Sequence, residues 1–204
     1  MDRLAEWLAY QAIKHWLLFV NVAVALFLLP TLLAPILMSI GITGPAKAIY
    51  SLYSITCHQL PERSFFIGPK LFYSLEEIRK AMGPDADDIF KRKAFVGNEE
   101  LGYKIAICER DVAIYLSILL AGIAFSLVRG KLEPLSFKAF LILCIPMAVD
   151  GLTQLFGLRE STAPGRVFSG SLFGVALVWL LYPRIELAFR EAKEVMEEKW
   201  REKS

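Results

Sequence analysis

The sequence predicts an all-α, polytopic membrane bundle, and three observations carry that prediction. Apolar residues make up 55% of the 204 residues and aromatic ones 12%, with a mean hydropathy of +0.46. The charged residues do not coat the chain evenly; they fall in blocks between apolar runs. Several of those runs approach or exceed the roughly 20 residues that a helix needs to cross a bilayer. A formal net charge of +2 with no basic stripe excludes a nucleic-acid-binding domain. Three cysteines, Cys57, Cys108 and Cys144, make no disulfide scaffold.

Residues 1–15 read as an N-terminal interfacial segment. Asp2 and Glu6 offset Arg3 and Lys14 where a cleavable signal needs net positive charge. The run from Trp16 to Ile40 is therefore expected to stay as a membrane anchor. Pro30 and Pro35 each remove a helical donor and predict kinks. The next apolar stretch, Ile42–Leu60, carries Lys47 near one end and Cys57-His58 near the other. Taken as a crossing with Lys47 snorkelling, it makes residues 16–60 a pair of spans and the protein a five-span bundle. If it dips and returns, four spans remain.

Residues 61–104 form a polar insertion with eight acids and eight bases. Ser74 and Glu77 match a capping box, and Gly83-Pro84 stops the helix that follows. Asp85, Asp87 and Asp88 precede Lys91, Arg92 and Lys93, the order that a helix dipole favours. Two short helices are expected, with the aspartates a solvated helix start rather than a calcium loop. Residues 105–183 hold a three-span bundle: Lys104–Val128, Leu135–Gly157 and Val167–Tyr182. Gly170 and Gly174 form a small-xxx-small pair suited to close helix packing. Residues 184–204 repeat apolar positions at helical spacing, with six acids and six bases. They form an amphipathic helix that lies on the interface or meets a partner helix.

Ionisable residues inside spans are costly and mark functional candidates. Asp111 and Asp150 each sit about seven residues into a span, roughly 10 Å deep at the helical rise. Because spans alternate in direction, Cys57-His58, Cys108–Asp111, Asp150–Gln154 and the loop Leu158–Arg166 converge on one mouth of the bundle. Cys108 and Asp111 share a helix face. With Cys57 and His58 they form a plausible tetrahedral set for zinc, or for iron. The plainer alternative makes Cys108 a buried hydrophobe, His58 an interfacial histidine and Asp111 an ion-pair partner of Arg110 or Arg159. His15 reads as interfacial and Cys144 as core. Asp150 and Gln154 share a face below Arg159 and Arg166, whose planar forks suit a phosphate or carboxylate. The alternative there is an Asp150–Arg ion pair that pins the loop.

Cys57-His-Gln-Leu-Pro-Glu-Arg63-Ser-Phe65, Cys108-Glu-Arg-Asp111, Asp150-Gly-Leu-Thr-Gln154, Arg159-Glu-Ser161, Arg166 and Gly170 follow one another in order. The series, running from Cys57 to about Tyr182, resembles a domain-of-unknown-function family of small prokaryotic polytopic membrane proteins. That family usually has Cys-x-Arg-Cys where this chain has Cys108-Glu-Arg-Asp111. The resemblance implies a metal or redox set in which Asp111 takes the fourth place, and the missing thiol argues against dithiol redox chemistry. It supplies no reaction.

The functional expectation is a metal-site membrane protein, as an enzyme acting on a lipid-borne or other anionic substrate. Cys57, His58, Cys108 and Asp111 would hold zinc, Asp150 would be the general base, and Gln154, Arg159 and Arg166 would bind substrate. The alternatives are a metal or proton transporter, and an assembly scaffold with a structural metal whose partner docks on Arg184–Ser204. The nine bases in Arg129–Lys138 and the tail place the tail in the cytoplasm and the mouth outside. Five spans would put the N-terminus outside too.

Overall fold

The computed structural model describes residues 3–202. Met1, Asp2, Lys203 and Ser204, the outer ends of the two expected terminal segments, lie outside the described residues. The chain opens with a short helix, α1 (Arg3–Lys14), and passes at His15 into the first membrane helix, α2 (Trp16–Ser39). Pro35 deprives the Thr31 carbonyl of its helical donor, and the Ala106 amide supplies the bond instead, at 3.3 Å.

The stretch expected to cross a second time does not. After a turn at Gly41 (φ 81°) it forms α3 (Thr43–Tyr53), which spans only 11 residues. At 1.5 Å per residue such a helix covers about 16 Å, roughly half a bilayer core. It returns along α2, where the Tyr53 hydroxyl donates to the Phe27 carbonyl at 2.6 Å and the two rings stack edge to face. Tyr50 and Tyr53 bury their rings in this contact, so the apolar surface that suggested a crossing is spent on α2 and on residues 105–108.

The polar insertion holds the two expected helices, α4 (Leu75–Met82) and α5 (Ile89–Ala94). Ser74 and Glu77 close the capping box, Gly83 ends α4, and Asp88 caps α5. The insertion also contains an unexpected antiparallel sheet of β1 (Phe66–Ile67), β2 (Gly97–Asn98) and β3 (Gly102–Lys104), with β3 central. Phe66, Tyr73, Ile78 and Leu101 form its small core.

Three more membrane helices follow: α6 (Glu109–Val128), α7 (Phe137–Leu155) and α8 (Ala163–Glu202). Together with α2 they are the four helices, among the described residues, long and apolar enough to cross a membrane. Gly170 and Gly174 let α8 lie directly on α6: a Cβ at Gly170 would come within 2.9 Å of the Arg110 carbonyl, and one at Gly174 would collide with Ser117. Leu18, Leu26, Leu120, Ile123, Ile142 and Ile145 remain exposed on the outer faces, as lipid contact requires.

α8 is one continuous helix of 40 residues, running through the boundary expected at residue 184. Pro183 frees the Trp179 carbonyl, and the Leu135 amide takes it at 3.3 Å, so the helix continues. Its tail meets α1 of the same chain. Tyr10 donates to Glu197 at 2.7 Å, Lys199 pairs with Glu6 at 3.0 Å, and the Tyr10 and Trp200 rings lie 5.0 Å apart. Four spans put α1 and the end of α8 on one side, where the five-span expectation had the N-terminal segment on the face opposite the tail.

Candidate functional site

The convergence of polar segments on one mouth is present, and two clusters occupy it. The first joins Cys57, His58 and Cys108, whose ligand-capable atoms all lie within 4.8 Å of one another. Both cysteines are buried, and His58 is exposed. The turn after α3 delivers the first two: Gln59 sits in the left-handed region (φ 52°), an uncommon place for a side-chain-bearing residue. The Gln59 amide holds that conformation by donating to Tyr50 O and Ala106 O, both at 2.8 Å. This one side chain ties the Cys57-His58 turn to the segment after β3 that delivers Cys108. Lys104, fully buried, reinforces the tie by donating to Gln59 O (2.5 Å) and Lys93 O (2.8 Å), and Tyr50 donates to Lys104 O.

The Cys108 amide donates to Cys57 Sγ at 3.2 Å, a contact that favours a thiolate there. Both cysteines are free thiols, and the hydrogen bond that the Cys108 thiol offers Cys57 lowers the pKa of Cys57 and raises that of Cys108, so the first proton leaves Cys57. His58 keeps an exposed edge, yet desolvation by the protein packed round it, then the Arg63 charge, hold its pKa down at about 4. Its ring is neutral at pH 7, as a metal ligand must be. The Leu60 amide donates to His58 Nδ1 at 3.0 Å. A metal at Nδ1 would replace that contact, and one at Nε2 would need the ring proton moved to Nδ1, which breaks it as well. Asp111, the expected fourth ligand, lies on the first turn of α6 near enough for its charge to oppose a thiolate at Cys57, but it is not in the group whose atoms lie within 4.8 Å. Two thiols, an imidazole and a carboxylate suit zinc better than harder ions.

The second cluster centres on Asp150, buried at the end of α7. It accepts from Arg110 at 2.5 Å, Arg159 at 2.7 Å and Ser161 at 2.7 Å, so one carboxylate binds α6, α7 and the loop together. Arg159 also donates to Thr153. Arg166 faces elsewhere: it pairs with the buried Glu109 at 2.7 Å and donates to Ser161 O. The Gln154 amide meets the Arg63 guanidinium, and with the amide assigned so that its oxygen faces those donors it accepts from Nη2 at 2.7 Å. Asp150 and Arg159 are therefore joined, while Arg166 and Gln154 have partners of their own. Arg63, Glu109 and Ser161 complete the network, each within the ordered motifs though not among the expected site residues, and Arg110 and Arg159, offered by the sequence as partners for Asp111, both pair with Asp150 instead. Cys144 sits apart, in an apolar recess with Met147 and Phe173.

Beside the network lies a cavity of about 920 Å³ between the insertion and the start of α8. Arg63, Arg92, Arg166 and Lys70 line it, opposed by Glu62, Glu77, Glu109 and Glu160. Leu71, Phe72 and Ile89, on its lining, are exposed.

Residues 100–180 match the family model described as "Predicted membrane protein (DUF2085)". The chain is 32% identical over 178 residues to uncharacterized protein MJ1492 of Methanocaldococcus jannaschii, covering 83% of this chain and 92% of that one. It is 33% identical over 79 residues to an uncharacterized protein of Methanothermobacter thermautotrophicus, covering 39% and 71%. No solved structure matches. With the four-span bundle and the ordered motifs, these likenesses identify the chain as a member of the DUF2085 family of membrane proteins.

Proposed function

We propose that the protein is a membrane-surface metalloprotein in which Cys57, His58 and Cys108, completed by Asp111, bind zinc, and whose mouth receives a lipid-borne or other anionic substrate. The meeting of two thiols and an imidazole from segments 51 residues apart supports the metal reading. Zinc bound there would supply a Lewis acid and an activated water. The protein's own residues set the electrostatics beside it. Three charge-assisted donors occupy the Asp150 carboxylate as it stands. Arg159, whose side chain is 52% exposed, is the guanidinium that an incoming anion can take. That exchange would free Asp150 to accept a proton, while Arg166 and Gln154, held by Glu109 and Arg63, act as fixed positive and polar surface.

One observation favours a second reading, in which the metal is a structural clamp between the α3 turn and α6. Both thiols are buried, and none of the three clustered residues lines the 920 Å³ cavity. Elemental analysis of chelator-free protein tests the metal that both readings share. The wild type should carry about one zinc per chain, and Cys57→Ala, His58→Ala and Cys108→Ala should each lose it. Asp111→Cys should retain zinc more tightly, because a thiolate is the softer donor. A wild type that holds no metal and takes none up on titration would end the proposal. Melting after metal removal separates the readings: a clamp leaves a large drop in melting temperature, a catalytic ion a small one.

A further inference from the structure

A second polar pocket lies at the opposite end of the bundle, where the helices leave the membrane on the tail side. Lys14 and His15 precede α2, Arg129 follows α6, and Glu186, Arg190 and Lys193 lie on α8 just past its apolar stretch. Together they line a cavity of about 410 Å³ with Ile13 and Phe189. Four cations line the pocket with one carboxylate; Lys193 pairs outward with Glu197 at 3.5 Å, and Glu186 is already engaged, accepting from Trp16 Nε1 at 2.9 Å and from Arg129 Nε at 2.7 Å. Arg129 therefore turns one edge of its guanidinium to Glu186 and keeps the other. Lys14 and Arg190 have no ion pair among the described residues. Arg190 lies against Gly130, whose missing Cβ leaves room for the guanidinium. Uncompensated cations so close together are costly unless an anion joins them.

We propose that this pocket binds the phosphate head group of an anionic membrane lipid. Its position favours a lipid over a free ion. The rings of Trp16, Phe125 and Tyr182 pack tilted or edge to face next to it in sequence on α2, α6 and α8, an aromatic belt of the kind found at the bilayer boundary. Leu18, Phe19 and Leu127 are exposed on the helix faces running down from it, where acyl chains would lie. Basic pockets between helix ends are the arrangement that holds such head groups.

The test uses the full chain in neutral detergent, with retention of short-chain phosphatidylglycerol, short-chain phosphatidylcholine and inorganic phosphate read by native mass spectrometry. Phosphatidylglycerol should be retained in preference to phosphatidylcholine. Lys14→Gln and Arg190→Gln, both on exposed side chains, should each weaken retention about fivefold, the worth of one cation near such a phosphate. Arg190→Lys keeps the charge and should keep most of the binding, which guards against a variant that merely misfolds. Equal retention of the two lipids, or full retention by the double variant Lys14→Gln/Arg190→Gln, overturns the proposal. So does displacement of phosphatidylglycerol by an equal concentration of inorganic phosphate, which would mark a free-anion site.

Discussion

Arg166→Met should be among the most damaging single substitutions at the mouth. Its partner Glu109 is fully buried, and the Arg166 side chain is 8% exposed. Removing the guanidinium strands a carboxylate whose other oxygen, Oε1, already lacks a partner among the described residues. Breaking a buried pair from one side costs about 3–5 kcal/mol. For a chain of this size that is a fall in melting temperature of about 6–20 °C. Glu109→Leu/Arg166→Met removes the charge with its partner and should recover most of the loss. A residue of about 1–2 kcal/mol should persist, because the Ser161 and Glu62 carbonyls also lose the donor they share. Thermal melts of wild type, both single variants and the double variant in one detergent give the coupling energy directly. If Arg166→Met melts within about 3 °C of wild type, or the double variant loses as much as the sum of the singles, the buried-pair account is wrong.

Three further outcomes follow from the same geometry. Asp150→Asn should cost about 3 kcal/mol or more by stranding Arg110, adding Arg110→Met should restore part of it, and Arg159→Lys should cost under about 1 kcal/mol because that side chain is half exposed; thermal melts decide. Burial pushes Lys104 down to about 7, so between pH 7 and 9 the unfolded chain holds a proton that the folded one sheds. Stability of the metal-free protein should therefore rise with pH across that window, by up to a few kcal/mol, and Lys104→Met should flatten the slope. With α3 folded back, Arg3 and Lys14 join the tail side, and the positive-inside rule predicts that side to be cytoplasmic. An impermeant thiol reagent on intact cells should label a cysteine introduced at Asp87 and spare one at Glu198; the reverse pattern would invert the orientation.

The bundle was legible because its signals are long or chemically specific. Runs of 19 or more apolar-rich residues, the Ser74–Glu77 capping box and the Gly170–Gly174 pair each have one common structural meaning. Ile42–Leu60 was misjudged because apolar composition does not distinguish lipid from α2 as the surface that buries Tyr50 and Tyr53. The sheet escaped notice because strands of two or three residues are shorter than any period can register. Lys104 escaped for the opposite reason: lysine is normally exposed, and only its place beside the run Ile105-Ala-Ile107 hinted at burial. At the candidate site, topology sufficed to bring the segments together. Which acid each arginine meets depends on reach: Arg110 extends to Asp150 and leaves Arg166 to Glu109.

The tetrad Cys108-Glu109-Arg110-Asp111 explains why the mouth holds together as one unit. Successive residues in a helical turn point about 100° apart, so four neighbours can serve different directions. Cys108 turns to Cys57, Glu109 to Arg166 on α8, and Arg110 to Asp150 on α7, while Asp111 comes back under Cys108 toward the thiol cluster. The helix dipole favours the two acids in this first turn, which lessens the cost of holding them with little water. An ion bound by Cys57 and Cys108 would then be one residue from the Glu109–Arg166 pair and two from the Arg110–Asp150 pair. Filling or emptying the metal site should therefore be felt at the loop Leu158–Arg166 through backbone that the two clusters share. That coupling is expected of the proposed metal whether it would work as catalyst or as clamp, since it rests on the turn itself.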